Sequence, residues 1–414
     1  MSRIDRLMSG ATTAVTRPAV VHRYLAGVEG GHHVPTNGPF VLVCNHSSFA
    51  DHFVVDALLD LLRDDPSFYF LTKAEAFVHP LRGRWTTSVG GIPVDRDQPG
   101  RELLASVERV FSGGSTLVVY PEGTRGPGWP LLPFKDGAFR FAVRAGVPVI
   151  PVGMWGVQHV LPKGANLPRR GATARVVFGP PLEVDPTLPR PQRVAALGKA
   201  AREALESLVE SARNPTPERD RQAAQELADL AEATVETMLS RTDTQPAARR
   251  MRQARLMLDL ADLTGPGNID ARATRARLTG LRMMDAALPR RLAMMPKLRR
   301  EAQRVVDADP DHLMANYLLG RWHVSAPRPL GGKREQGLRH LRHVARIGAH
   351  DTRYPMAYAE ALMKTGNDAA AAEELRGILN APAPDARTAD RKRRAADHYT
   401  RLTADGGLTA THVR

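Results

Sequence analysis

Two short polar clusters in the first third of the chain carry side chains able to move protons and hold anions. The first, Asn45-His46-Ser47-Ser48-Phe49-Ala50-Asp51, follows the apolar run Phe40–Cys44. A neutral imidazole is well matched to taking a proton near neutral pH, and a carboxylate five residues on can accept its other ring N–H and fix tautomer and orientation. These residue types point to His46 as a general base with Asp51 as its orienting partner. A His-x-x-x-x-Asp spacing arises about once by chance in a chain of this composition, so its weight rests on its neighbours.

The second cluster, Tyr120-Pro121-Glu122-Gly123-Thr124-Arg125, directly follows the β-rich run Thr116–Val119. Gly123 lets backbone approach a ligand, Thr124 offers a hydroxyl, and Arg125 offers a planar fork that matches phosphate oxygens bidentately. The plain alternative is a polar turn with a surface arginine. A third stretch, Gly90-Gly91-Ile92-Pro93-Val94-Asp95-Arg96, brings a second guanidinium to the same crevice if its strand lies beside the others; alone, Arg96 is a solvated charge. The single cysteine, Cys44, excludes an intrachain disulfide and a Cys-rich zinc site. Its strand position makes it a buried bystander rather than a nucleophile. The remaining histidines, among them His32, His33, His52, His79 and His159, have no metal-ligand spacing with acidic partners and read as solvated or structural. No metal is expected.

These clusters must be positioned by the elements around them. Phe40–Cys44, Ser67–Leu71, Thr116–Tyr120, Val147–Val152 and Ala174–Phe178 read as strands. Between them His52–Arg63 and Arg101–Ser112 carry apolar residues at helical spacing. Strands alternating with helices predict an α/β sheet, and in such sheets ligands sit in the crevice at the carboxyl ends of the strands, where both polar clusters fall. All 11 phenylalanines lie at or before Phe178, and the later chain is rich in Ala, Arg and Leu. Residues 213–218, with two prolines and no apolar period, are the expected linker. Beyond it the spacing predicts helices near 218–241, 247–264, 270–287, 289–307, 312–324, 335–347, 354–366, 368–380 and 386–403. From Asp311 they come as short pairs that resemble tetratricopeptide-type repeats, with Leu319-Gly320 at a close-packed small position; a generic helical bundle is the alternative.

The chain has 414 residues, enough for two or three domains, and a formal net charge of +14 that favours an anionic partner. Nucleic acid is not expected: only five aromatics follow Asn214, and no recognised motif accompanies the basic runs Arg299-Arg300 and Arg391–Arg394. No stretch reaches the roughly 18 apolar residues of a membrane span. Residues 1–25 set Arg3, Arg6, Arg17 and Arg23 beside Ile4, Leu7, Met8, Val15, Val20, Val21 and Tyr24, a basic amphipathic surface that Pro18 should break or kink.

In this order and spacing the clusters resemble the four blocks of the glycerophospholipid acyltransferase family, typified by 1-acylglycerol-3-phosphate acyltransferase. Asn45–Asp51, Gly90–Arg96 and Pro121–Arg125 match the first three blocks, and Val147-Pro148-Val149-Ile150-Pro151-Val152 matches the fourth. Lys73-Ala74-Glu75, Pro80-Leu81 and Leu132–Ala138 are similar to the intervening text. The likeness spans about residues 25–185. It implies an α/β acyltransferase domain over 26–212, with a mostly parallel central sheet flanked by helices; it does not reach the all-α, tetratricopeptide-like region over 219–414, which is read from the helix spacing.

It further implies that His46, oriented by Asp51, deprotonates an acceptor hydroxyl, which attacks the thioester of acyl-CoA or acyl carrier protein. Arg96, Glu122, Gly123, Thr124 and Arg125 are the implied phosphate-binding residues. The acceptor is then a lysophospholipid, 1-acylglycerol 3-phosphate foremost, with no cofactor beyond the acyl donor. A diacylated product implies peripheral contact with a membrane, on its cytoplasmic face. The alternative reading is a non-catalytic protein that holds a partner through residues 219–414 on an acyltransferase scaffold.

Overall fold

The computed structural model describes residues 3–94, 101–165, 167–239, 243 and 245–404. Seven strands, β1 (Leu25–Glu29), β2 (Phe40–Cys44), β3 (Phe68–Lys73), β4 (Gly91–Val94), β5 (Thr116–Val119), β6 (Val149–Trp155) and β7 (Ala174–Phe178), form one sheet in the order β1-β7-β6-β2-β5-β3-β4. From β6 to β4 all neighbours are parallel, while β7 runs antiparallel to β6 and parallel to β1. The sheet is therefore mixed but mostly parallel. β1 and β4 are strands that apolar spacing alone does not announce.

Sixteen α-helices accompany it among the described residues: α1 (Arg3–Ala19), α2 (Asp51–Leu62), α3 (Pro80–Ser88), α4 (Arg101–Ser112), α5 (Gly137–Ala145), α6 (Val157–Val160), α7 (Arg190–Arg213), α8 (Pro217–Met238), α9 (Ala247–Thr264), α10 (Ile269–Met284), α11 (Leu288–Ala308), α12 (Leu313–Ser325), α13 (Arg334–Ile347), α14 (Arg353–Lys364), α15 (Asp368–Asn380) and α16 (Ala386–Ala404). One face of the sheet is covered by α4, α5 and α7, where Val107, Val110, Phe139, Phe141, Leu197 and Leu205 bury against Val41, Val43, Leu117 and Val119. All five residues of β2 are buried, as a central parallel strand covered on both faces must be.

Contacts divide the chain into two compact units, residues 1–234 with 244–268 and residues 235–243 with 269–414. Within the expected linker of 213–218 only residues 214–216 lie between α7 and α8, and the change of unit comes later, inside α8. The reason is ionic and polar fastening of the next two helices to the sheet unit. Arg175 of β7 pairs with Asp220, and Arg219 meets Glu29 of β1 at 2.6 Å. Arg250 meets Asp64 at 2.6 Å, and Gln253 donates to the carbonyls of Asp60 and Arg63 at 2.8 and 3.1 Å. Composition cannot reveal this, because the two helices are as Ala- and Arg-rich as those that follow.

The second unit is all-helical, and successive helices from α10 to α16 pack on one another. α12 and α13 approach through glycine: a Cβ on Gly320 would lie 2.5 Å from Leu341 Cγ and 3.1 Å from the Gly337 carbonyl oxygen.

At the N-terminus α1 runs through Pro18 to Ala19 and continues as a π-turn over Val20–Tyr24, so the α ladder is lost immediately after the proline. α1 is tied to its own unit. Arg17 bridges Asp56 and Asp60 of α2 at 2.8 and 2.7 Å, Arg84 of α3 reaches Asp5 at 3.0 Å, and Trp85 Nε1 donates to Thr12 Oγ1 at 3.2 Å. Ile4, Leu7 and Val15 remain exposed.

Candidate active site

β2 and β5 are neighbours, parallel and in register, with Val43 opposite Val119. Whatever follows them in sequence must emerge at the same end of the sheet, and this is how His46 and the Tyr120–Arg125 turn meet. Asn45 extends the ladder on the other side. Its amide donates to Met154 O at 2.9 Å and accepts from Met154 N at 2.8 Å, so β6 holds the last sheet-like residue before His46.

The His46 backbone is gripped by the second cluster. Its N–H donates to Glu122 Oε1 at 2.8 Å, and its carbonyl accepts from Gly126 N at 2.7 Å. The ring is held by Asp51, whose Oδ2 lies 2.8 Å from Nδ1. The same oxygen accepts from the backbone N–H groups of Ser47 and Ser48 at 2.8 and 2.9 Å, and the Asp51 side chain is wholly buried. A carboxylate so fixed at the start of α2 anchors the imidazole at Nδ1 and leaves Nε2 as the ring nitrogen free for chemistry. The His46 side chain is 16% exposed, enough to meet a substrate.

Two cavities share His46. One, of about 780 Å³, is lined by Phe49, Lys73, Arg82, Gly123, Thr124, Arg125 and Lys163, with polar residues of α1 along one wall. The other, of about 650 Å³, is lined by Leu71, Val94, Leu103, Leu104, Val119 and Phe141, with Lys135, Arg140, Arg144 and Arg190 among its polar groups. His52 and Gly123 line both.

Of the six residues expected beside His46, five lie in the described chain: Asp51 meets the imidazole, Glu122 the His46 backbone, and Gly123, Thr124 and Arg125 line the first cavity with His46; Arg96 lies outside the described residues, together with Asp95. Thr124 is exposed and Arg125 partly so, both on the first cavity. Gly123 takes φ +66° in the turn closed by its N–H on the Tyr120 carbonyl, 2.9 Å, a conformation glycine adopts at no steric cost. A Cβ there would press on the Lys135 stem at 3.1 Å.

Glu122 needs correction. Grouped by resemblance with the phosphate-binding residues, it is 4% exposed, and both its oxygens are taken by backbone N–H groups, His46 on Oε1 and Leu132 on Oε2 at 2.9 Å. A carboxylate would in any case repel a phosphate. Glu122 braces the backbone that carries His46. Burial pushes its carboxyl above the ordinary glutamate range, with the two backbone hydrogen bonds working the other way.

The residues that sequence reasoning passes over are His52, Tyr120 and Lys135. His52 reads as structural by spacing, yet it lies against Tyr120 and lines both cavities. Lys135 sits beside the Gly123 turn, its N–H on the Pro121 carbonyl at 2.8 Å. The signal for it was the Leu132–Ala138 stretch, which carries no chemistry by spacing alone. Cys44 is fully buried and burial drives its thiol well above the ordinary range, so it stays a neutral thiol. Val149, Ile150 and Val152 of the fourth block are buried strand residues. Among the described residues no group of three or more His, Cys, Asp or Glu side chains gathers as metal ligands would, and no helix is long and apolar enough to cross a membrane.

Residues 26–155 match the Acyltransferase family model. A chloroplastic 1-acyl-sn-glycerol-3-phosphate acyltransferase of Brassica napus is 31% identical over 162 residues, covering 38% of this chain and 45% of the relative. The mouse 1-acyl-sn-glycerol-3-phosphate acyltransferase alpha is 30% identical over 199 residues, 46% of this chain and 67% of the relative. The chain thus spans less than half the length of the plant protein and two thirds of the mouse one. The crystal structure of the 1-acyl-sn-glycerophosphate acyltransferase PlsC from Thermotoga maritima aligns with a TM-score of 0.38 at 26% identity, over 48% of this chain and 79% of that one. With the family model spanning residues 26–155, which carry His46, Asp51 and the Tyr120–Arg125 turn, and with the mouse relative covered to two thirds of its length, the chain belongs to the acyltransferase family, its domain related to the 1-acyl-sn-glycerol-3-phosphate acyltransferases.

Proposed function

We propose that this enzyme moves a fatty acyl group from an acyl-CoA or acyl carrier protein thioester to the hydroxyl of a lysophospholipid, with 1-acylglycerol 3-phosphate, giving phosphatidate, as the acceptor best supported. The observation that carries the reading is the Asp51-oriented imidazole facing two cavities, one bearing Arg125 and Thr124 and the other largely apolar. The acceptor phosphate lies against Arg125, Thr124 and the Gly123 turn in the first cavity; a part for Arg96, outside the described residues, rests on the sequence resemblance. The acyl chain of the donor lies along Leu71, Leu103, Leu104 and Phe141 in the second.

His46 Nε2 takes the proton of the acceptor hydroxyl as its oxygen attacks the thioester carbonyl. Asp51, hydrogen-bonded to Nδ1–H, supports the imidazolium that forms. The tetrahedral intermediate then collapses, the C–S bond breaks, and the imidazolium returns its proton to the departing thiolate. The acceptor oxygen is the nucleophile throughout, consistent with a buried, protonated Cys44.

A membrane surface as the source of acceptor is supported by exposed Leu7 on α1, Val78 just ahead of α3 and Leu81 within it, since α1 and α3 pack together beside the first cavity. The finer reading of the second unit, a tetratricopeptide-like module that holds a protein partner, rests on the stepwise packing of α12 to α16. Cross-linking of the full chain in its source extract, with nothing joined to α12–α16, would count against it.

The decisive assay is thiol release from oleoyl-CoA by the full-length protein with and without 1-acylglycerol 3-phosphate. His46→Ala is expected to lower acceptor-dependent release at least about 10³-fold, and Arg125→Ala to raise the acceptor KM about 10-fold or more. Full activity in His46→Ala would overturn the base assignment. No release with this acceptor, other lysolipids or acyl carrier protein donors would favour the partner-holding alternative.

A further inference from the structure

Asp51 fixes the edge of the His46 ring but not its plane. An imidazole held at Nδ1 can still tilt about that hydrogen bond, and a tilt of 30° carries Nε2 by about 1 Å, a displacement that costs up to roughly 10²-fold in rate. The ring face is closed by Tyr120, whose centroid lies 4.2 Å from that of His46 at 25° between planes. Tyr120 is the first residue past β5, so register with β2 sets it under the imidazole. Its far end is anchored: the phenol oxygen lies 3.1 Å from His52 Nδ1. His52, in the first turn of α2, is itself stacked on Phe70 of β3, with centroids 4.2 Å apart at 28°.

We propose that His52 and Tyr120 are a positioning pair for the general base, the hydrogen bond between them holding the phenol flat against the His46 imidazole. This rests on the reading of His46 as the base. The two groups are suited to a neutral, permanent bond. Burial, with the positive charge of His46 and Arg125 nearby, holds the His52 pKa down at about 3, and burial drives the Tyr120 phenol well above its ordinary range. The aromatic face also attracts the imidazolium that forms once the base has taken its proton. Neither residue needs to touch the reacting atoms.

The test is a double-mutant cycle in the full-length protein. Tyr120→Phe and His52→Phe each remove the hydrogen bond while keeping a ring in place. Each is expected to lower kcat about 3- to 10-fold with the acceptor KM within about 2-fold, and the double variant should be no worse than the weaker single, because both delete one interaction. Tyr120→Leu, which removes the ring face, should lose about 30- to 100-fold. Losses that multiply in the double variant, or singles with unchanged kcat, would overturn the pairing.

A second readout does not need turnover. In histidine-ring NMR, the His46 signal, assigned by its absence in His46→Ala, should carry an upfield ring-current displacement that vanishes in Tyr120→Leu and moves in both Tyr120→Phe and His52→Phe. A His46 signal that ignores His52→Phe refutes the anchoring even if the base assignment has already failed by activity of His46→Ala.

Discussion

Replacing Glu122 by glutamine separates a brace from a phosphate ligand. In the native site one carboxylate accepts two backbone N–H groups, from His46 at 2.8 Å and from Leu132 at 2.9 Å. Glutamine keeps one carbonyl oxygen, so one of these bonds survives as a neutral one and the other becomes an N–H facing an NH₂. A hydrogen bond to a charged acceptor is worth about 1.5–3 kcal/mol, and each 1.36 kcal/mol is tenfold in rate. If the lost partner is His46, that energy was holding the backbone from which the base projects. The expected loss is about 10- to 100-fold in kcat, with the acceptor KM within about 3-fold and with global stability lowered by about 1.5–3 kcal/mol. Acceptor-dependent thiol release measured across acceptor concentrations, together with urea unfolding, reads all three. A carboxylate facing the phosphate would behave oppositely, since removing its charge would relieve repulsion. A lower acceptor KM with kcat intact in Glu122→Gln would therefore refute the brace.

Two further predictions concern the frame. Arg63 is 1% exposed, donates to the carbonyls of Asp65, Pro35 and Gly38, and lies over the Phe40 ring at 4.8 Å; Arg63→Met should lower stability by about 3–5 kcal/mol in denaturant unfolding by leaving those oxygens unpaired, and a change under about 1 kcal/mol would show that water replaces the guanidinium. In the second unit burial opposes ionisation of Glu236, but Arg277 at 2.7 Å and Arg353 at 2.8 Å bring its carboxyl down to about 2. A depressed folded pKa gives stability that is present above the unfolded value near 4.5 and fades as pH falls from there toward 2. With solvent screening at this part-exposed group allowed for, about 1–2 kcal/mol should be lost by the wild type over that window and not by Glu236→Gln, as thermal unfolding at successive pH values will read.

The strands that hold the site were legible because they are short runs of buried apolar residues: Phe40–Cys44, Thr116–Val119 and Ala174–Phe178 stand where their composition puts them. β1 was not, because Leu-Ala-Gly-Val-Glu lacks a β-rich run and becomes a strand only by pairing with β7. α3 was not, because Pro80–Ser88 has no apolar stripe; its start is set by Pro80 and by His79, which accepts from Arg82 N at 3.4 Å. The helices of the second unit carry their period openly and match the spacing within a few residues. The unit boundary was hidden for a different reason: Arg175, Arg219 and Arg250 are ordinary basic residues in sequence, and only the sheet brings their acidic partners within reach.

The same distinction separates what a motif says from what a site does. His46 and Asp51 are close in sequence, so their pairing follows from one turn at the head of α2 and is readable from the string. Glu122 on His46 N and Tyr120 on the His46 ring join positions more than seventy residues apart, and they meet because β2 and β5 are adjacent and in register. Residue types in the second cluster therefore suggest an anion site as a whole, yet the sheet divides their labour. Tyr120 and Glu122 turn inward to the base, one on its ring face and one on its backbone, while Thr124 and Arg125 turn to the cavity. A six-residue turn that both steadies the base and presents the guanidinium ties the position of His46 to that of Arg125, so a disturbance of the turn should move the base and the anion-binding fork together.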